Sequence, residues 1–145
     1  MGEFSARRAG QLLGFFLPHL KQGVSLLDSG YGPGSITVDL AQEIAPGPVV
    51  GVDLDEGSLD VARELANKQG VSNVSFQIGS VDDLPFPDAS FDTVVSNQVV
   101  NHFNDPMKTL EEMGRVLKPW GVVGLNTIDF GSRIIYPDYP AIGKF

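Results

Sequence analysis

Along this chain, short apolar runs alternate with stretches in which apolar residues recur every three or four positions. The runs are 24–28 (VSLLD), 48–53 (PVVGVD), 74–78 (VSFQI), 92–96 (DTVVS) and 121–127 (GVVGLNT). They have strand length, and the most apolar carry hydrophobic residues at consecutive positions, as a strand buried on both faces requires. Between them, Ile36, Leu40 and Ile44 share one helical face, Leu59, Ala62, Leu65 and Ala66 a second, and Leu110, Met113 and Leu117 a third. The punctuation agrees with this division. Asp55 stands as an N-cap and Gly70 as a stop for the second helix, while Asp105 with Pro106 opens the third and Pro119 with Gly121 closes it. An earlier stripe of Leu12, Leu13, Phe15, Phe16 and Leu20, with Ser5 as its cap, predicts an N-terminal helix within residues 1–22, its last turn disturbed by Pro18. Residues 79–90 hold two prolines and three aspartates and predict a loop.

Strands alternating with helices at this spacing predict an α/β fold with a mostly parallel sheet and helices on both faces. A length of 145 residues and a 42% hydrophobic content suit one domain, running over 1–145 with a tail from 128. No run approaches a membrane span, and the polar N-terminal stretch with its proline does not read as a signal peptide. A soluble, cytoplasmic protein is expected, with no membrane partner. The absence of cysteine excludes disulfides and thiolate chemistry. Only His19 and His102 could supply imidazole, so a multi-histidine metal site is not expected. The net charge of -8 opposes attraction to phosphate backbones and argues against a nucleic-acid partner.

The candidate chemistry lies after the first strand. In "LLDSGYGPGS" (26–35), Asp28 precedes Gly30, Gly32 and Gly34, set two apart. In an open parallel sheet, ligands bind beyond the carboxyl ends of the strands where the strand order reverses. Glycines there let a ligand lie against backbone N–H groups at a helix start, although a tight strand-to-helix turn would ask for the same residues. Asp53, ending the second strand 19 residues after Gly34, favours the ligand reading, because a carboxylate there can accept both hydroxyls of a ribose. The spacing is G-x-G-x-G and not the dinucleotide G-x-G-x-x-G. Asp28 beside the loop would repel a pyrophosphate and suit an ammonium.

The blocks "LLDSGYGPGSITVDLA", "VVGVDLDEGSLDVARELA", "GSVDDLPFPDASFDTVVSN" and "LEEMGRVLKPWGVVGL", in this order over roughly 24–127, resemble the class I S-adenosylmethionine-dependent methyltransferases, in particular the ubiquinone and menaquinone biosynthesis branch. The resemblance implies a Rossmann-like, doubly wound sheet of order 3-2-1-4-5, truncated after the fifth strand. S-adenosyl-L-methionine would be the cofactor and a small molecule the methyl acceptor. It also implies that Asp28, Gly30 and Gly32 face the methionine part and Asp53 the ribose. Leu54 would pack on the adenine, Ser80, Val81 and Asp82 would line its edge, and Asn97 would lie near the sulfonium. Tyr31 stands where the family has a small residue; its ring would crowd the methionine pocket, face the sulfonium or pack on the N-terminal helix. Ser80 replaces a common aspartate, and Asp82 would compensate, solvate the loop or cap a helix.

"SNQV" (96–99) lacks the Asn-Pro-Pro-aromatic signature of methyltransferases acting on amide or adenine nitrogens. No catalytic base is assigned; His102 is a conceivable one, or a structural histidine. Phe91 is expected in the core and Phe86 on the cleft wall. A cofactor-binding module without turnover is the alternative function, and a nicotinamide-dependent oxidoreductase a third, disfavoured because neither Tyr136 nor Tyr139 has a lysine four residues on. The fifth strand, 121–127, would expose an uncharged apolar edge. Either the chain's own "SRIIY" (132–136), returning as an antiparallel strand, or a second copy would cover it, and a homodimer through strand 121–127 and the tail is expected.

Overall fold

The computed structural model describes residues 16–97, 106–126 and 133–136. The strands are β1 (Leu26–Ser29), β2 (Val49–Asp53), β3 (Val74–Ile78), β4 (Phe91–Asn97), β5 (Leu117–Asn126) and β6 (Arg133–Tyr136). The α-helices are α1 (Ser35–Ile44), α2 (Glu56–Lys68) and α3 (Pro106–Val116). The sheet order is β3-β2-β1-β4-β5-β6, with the first five strands parallel. This is the expected doubly wound arrangement, and the order reverses at β1.

Consecutive apolar residues in the runs face opposite sides of the sheet. Leu27 and Val94 join a cluster with Met113 and Val116 of α3, whereas their neighbours Leu26 and Val95 join one with Leu40, Ala41 and Ile44 of α1. Helices α1 and α2 therefore cover one face and α3 the other, and a third cluster of Val38, Ala62, Ala66 and Phe76 cements α1, α2 and β3. At the lower end of the sheet, the Asp92 carboxylate accepts the Ser25 N–H at 2.9 Å and Lys118 Nζ at 3.2 Å, tying the starts of β1, β4 and β5.

Three expectations change. First, α3 ends at Val116, and Leu117 opens β5 by pairing with Phe91; the register then shifts between Phe91 and Thr93, where Pro119 can sit without a ladder hydrogen bond. Leu117 is buried, but from a strand. Second, most of the N-terminal helix expected over 1–22 lies outside the described residues, as does Asp105. From Phe16 onward the chain makes a single 3-10 turn, Leu17–His19. Phe16 is fully buried against Gly124 of β5, where an added Cβ would stand 2.7 Å from its ring. Third, β6 pairs antiparallel with β5, Leu125 opposite Ile134, so the chain itself occupies the edge on which the homodimer expectation rested. Among the described residues no helix is long and apolar enough to cross a membrane, and no group of three or more acidic or histidine side chains could hold a metal ion.

Candidate functional site

Three segments converge at the carboxyl ends of β1, β2 and β3. The Gly30 N–H donates to Val52 O at 2.7 Å, the Gly32 N–H to Asp53 Oδ2 at 2.9 Å, and the Gly79 N–H to Asp53 O at 3.0 Å. Asp53 thus links the glycine loop to the start of the loop after β3, while its Oδ1 accepts the Asp55 N–H at 3.0 Å. Gly30, Gly32 and Gly34 all have positive φ, so the loop turns in a way that L side chains resist.

The glycines differ in what surrounds them. A Cβ on Gly34 would lie 2.6 Å from Ala62 Cβ, so this glycine lets α1 pack closely on α2. Among the described residues, a Cβ on Gly32 would meet nothing within 4 Å. Its φ of +57°, and not packing among the described residues, asks for glycine here, and the open side lies beside the Asp53 carboxylate. Leu54, next along, is 61% exposed, which leaves an apolar platform at the end of β2.

Asp28 is buried at the end of β1 and accepts a 2.7 Å hydrogen bond from Thr37 Oγ1 in the first turn of α1. Burial pushes its carboxyl up to about 7, against the opposing effect of the Thr37 bond and with a further rise from the Asp53 charge. A carboxyl poised there gains from a neighbouring cation, which restores the charged form.

Tyr31 does not pack as expected. Its ring turns inward, 4.9 Å from Phe76 in an edge-to-face contact and over Gly51, where an added Cβ would sit 2.8 Å from Tyr31 Cδ1. The side chain is 5% exposed and its hydroxyl has no hydrogen-bond partner among the described residues. Only the Tyr31 backbone is left to border the loop's open side.

In the loop after β3, Val81 is buried, Ser80 Oγ accepts the Asp82 N–H at 3.2 Å, and Asp82 Oδ1 accepts the Thr109 hydroxyl of α3. Asp82 accordingly ties the loop to α3 through the Thr109 hydroxyl. Phe91 is in the core and Phe86 packs on it edge-to-face at 5.0 Å, partly buried. Asn97 ends β4, and its Oδ1 accepts Asn126 Nδ2 at 2.7 Å. The structure thus brings Gly30, Gly32, Asp53 and the start of the 79–90 loop together, and sets Asn97 one strand further along at the end of β4. His102 lies outside the described residues. Sequence reasoning missed Thr37, whose signal is a hydroxyl in the first turn of the helix that follows an acid-glycine loop, and it missed the grip of α3 on the 79–90 loop.

Residues 20–137 match the model of a family described as methyltransferase domain. The chain is 39% identical over 129 residues to an uncharacterized methyltransferase of Schizosaccharomyces pombe, covering 85% of this chain and 46% of that protein. It is 39% identical over 105 residues to a demethylmenaquinone methyltransferase of Symbiobacterium thermophilum, covering 71% of this chain and 42% of that one. The crystal structure of a SAM dependent methyltransferase from Aquifex aeolicus superposes with a TM-score of 0.73 at 30% identity, over 81% of this chain and 62% of that one. The chain spans about half the length of the curated relatives it matches. With its five parallel strands, glycine loop and acidic end of β2, this chain belongs to the class I S-adenosylmethionine-dependent methyltransferases, and is related to the menaquinone branch.

Proposed function

We propose that the chain binds S-adenosyl-L-methionine at the junction of β1, β2 and β3 and transfers its methyl group to a small-molecule acceptor. The observation that carries this reading is the open space at Gly32 beside the Asp53 carboxylate, with the exposed Leu54 adjoining it. An adenosine with an amino-acid arm fits those groups: a diol for Asp53, an apolar platform at Leu54 and an ammonium for Asp28. The Ser80–Val81 segment borders the base, and Gly30, Gly32 and Gly34 allow backbone approach at the start of α1. Asn97 stands at the end of β4, toward the side from which an acceptor approaches.

When bound, the cofactor supplies a methyl group activated by a sulfonium. The chain's residues hold it in line with the acceptor and keep water away. Asp53 orients the sugar, Leu54 removes one face of the base from water, and Asp28 fixes the charged end of the arm.

The acidic net charge and the lack of an Asn-Pro-Pro-aromatic segment at 97–100 favour a small acceptor over a nucleic acid or a planar amide. An acceptor in the class of demethylmenaquinone, after the name of the Symbiobacterium relative, is the first to test. No second copy of the chain is invoked, because β6 already completes the edge of β5. The test is transfer of label from methyl-labelled S-adenosylmethionine to a panel of quinone precursors and other small acceptors. Transfer to one of them supports the reading, whereas binding with no transfer to any acceptor would leave a cofactor-binding module.

A further inference from the structure

The 79–90 loop has no helix or strand of its own apart from an isolated bridge between Ser80 and Asp83, yet it follows one path, set by α3. Thr109 holds Asp82, Glu112 Oε1 accepts the Leu84 N–H at 2.8 Å, and the Ala89 N–H donates to Arg115 O at 2.9 Å. The Arg115 guanidinium completes the grip. Its Nε donates to Glu112 Oε2 at 2.7 Å, and its Nη2 to Glu112 Oε1 and Leu84 O, both at 3.0 Å. Its Nη1 donates to Phe86 O at 2.9 Å and to Asp88 Oδ1 at 2.8 Å. Five bonds use all five N–H donors of a guanidinium. Two of them end on backbone carbonyls of the loop. At its other end the loop is pinned by Gly79 to the Asp53 carbonyl.

We infer that Arg115, through its fork with Glu112, is a positioning residue for the nucleoside base: it fixes the backbone path of residues 80–86 and so the segment that borders the base, without itself touching the ligand. This rests on the reading of Ser80 and Val81 given above. Arg115 and Asp88 are partly to mostly exposed, at 33% and 81%, so their attraction adds little to global stability. The geometric effect of Arg115 and Glu112 is larger, because the Leu84 N–H and the Leu84 and Phe86 carbonyls of this loop are held by their side chains. Lysine cannot substitute, since it has three donors and no planar fork.

The test compares two probes, S-adenosylhomocysteine and the base-free S-ribosylhomocysteine, by calorimetry with the thermal midpoint recorded for each variant. Arg115→Met is expected to weaken S-adenosylhomocysteine roughly five- to tenfold, the effect of losing about one hydrogen bond to the base, and to leave the base-free ligand unchanged. Arg115→Lys should behave like Arg115→Met. Glu112→Gln, which breaks the fork from the other side, should give the same selective loss, and the double variant no more than either single one. Equal losses for both ligands, unchanged affinity for both, or restoration by lysine would overturn the inference. A wild-type chain that binds neither ligand contradicts the cofactor reading, and this inference with it.

Discussion

The Asp53 carboxylate accepts the Gly32 N–H at 2.9 Å, which closes the acidic end of β2 onto the glycine loop that follows β1. The contact places the bare backbone of one strand-helix unit next to the charge of the next. Neither element alone distinguishes a ligand cradle from a tight turn; on the proposed reading the two together hold a nucleoside. The two glycines around this contact should respond differently to substitution, and that difference separates binding from packing.

Gly34→Ala is predicted to destabilise the fold. Its Cβ would overlap Ala62, and φ is +87°, so left-handed strain of about 1–2 kcal/mol adds to an overpacking cost of about 1–3 kcal/mol. In Gly32→Val the added Cβ meets no atom of the described residues within 4 Å; the fold should survive with a strain cost of about 1–3 kcal/mol, while S-adenosylhomocysteine binding is lost. Urea unfolding and calorimetry on both variants check this. Normal binding by a folded Gly32→Val chain would reduce the loop to a turn.

Asp28 should make the ligand-free chain less stable as pH rises. The folded protein keeps the proton up to about pH 7, whereas an unfolded aspartate releases it near 3.8, so stability contributed by the buried neutral acid is lost between those values. Asp28→Asn should remove this slope, its advantage over wild type growing from pH 5 to pH 8 to at most about 4 kcal/mol. Ligand binding has the opposite dependence. An ammonium favours the charged carboxylate, so affinity for S-adenosylhomocysteine should rise with pH up to about 7, by up to about tenfold per unit, and be flat and weaker in the Asn variant. Equal thermal midpoints for the two proteins across this range would contradict the assignment.

Phe16→Ala should cost about 3–5 kcal/mol in urea unfolding, because the ring is fully buried beside Gly124 and its removal leaves a cavity. A loss under about 1 kcal/mol would mean that the segment before β1 is not part of the core.

The sheet was legible because a parallel strand buried on both faces leaves a continuous apolar run, as in Leu26 and Leu27 or Val94 and Val95. The juxtaposition of the acid-glycine loop and Asp53 was legible because their places depend on local spacing along the chain. Tyr31 was not: its ring settles where Gly51, on the neighbouring strand, leaves room, and no local pattern shows that gap. The start of β5 at Leu117 depended on pairing with Phe91, 26 residues earlier. Arg115 was equally hidden, since bonds from one side chain to backbone carbonyls about 30 residues away leave no periodicity to read.

Calorimetric titration of wild type and Asp53→Ala with S-adenosylhomocysteine and NAD in parallel tests whether the Asp53–Gly32 junction binds the nucleoside of S-adenosylmethionine. Hydrogen bonds to a charged acceptor contribute about 1.5–3 kcal/mol each, so the Ala variant should lose at least about tenfold in S-adenosylhomocysteine affinity, and NAD should bind neither protein. Binding of NAD alone, or an unchanged affinity for S-adenosylhomocysteine in a folded Asp53→Ala chain, would contradict it.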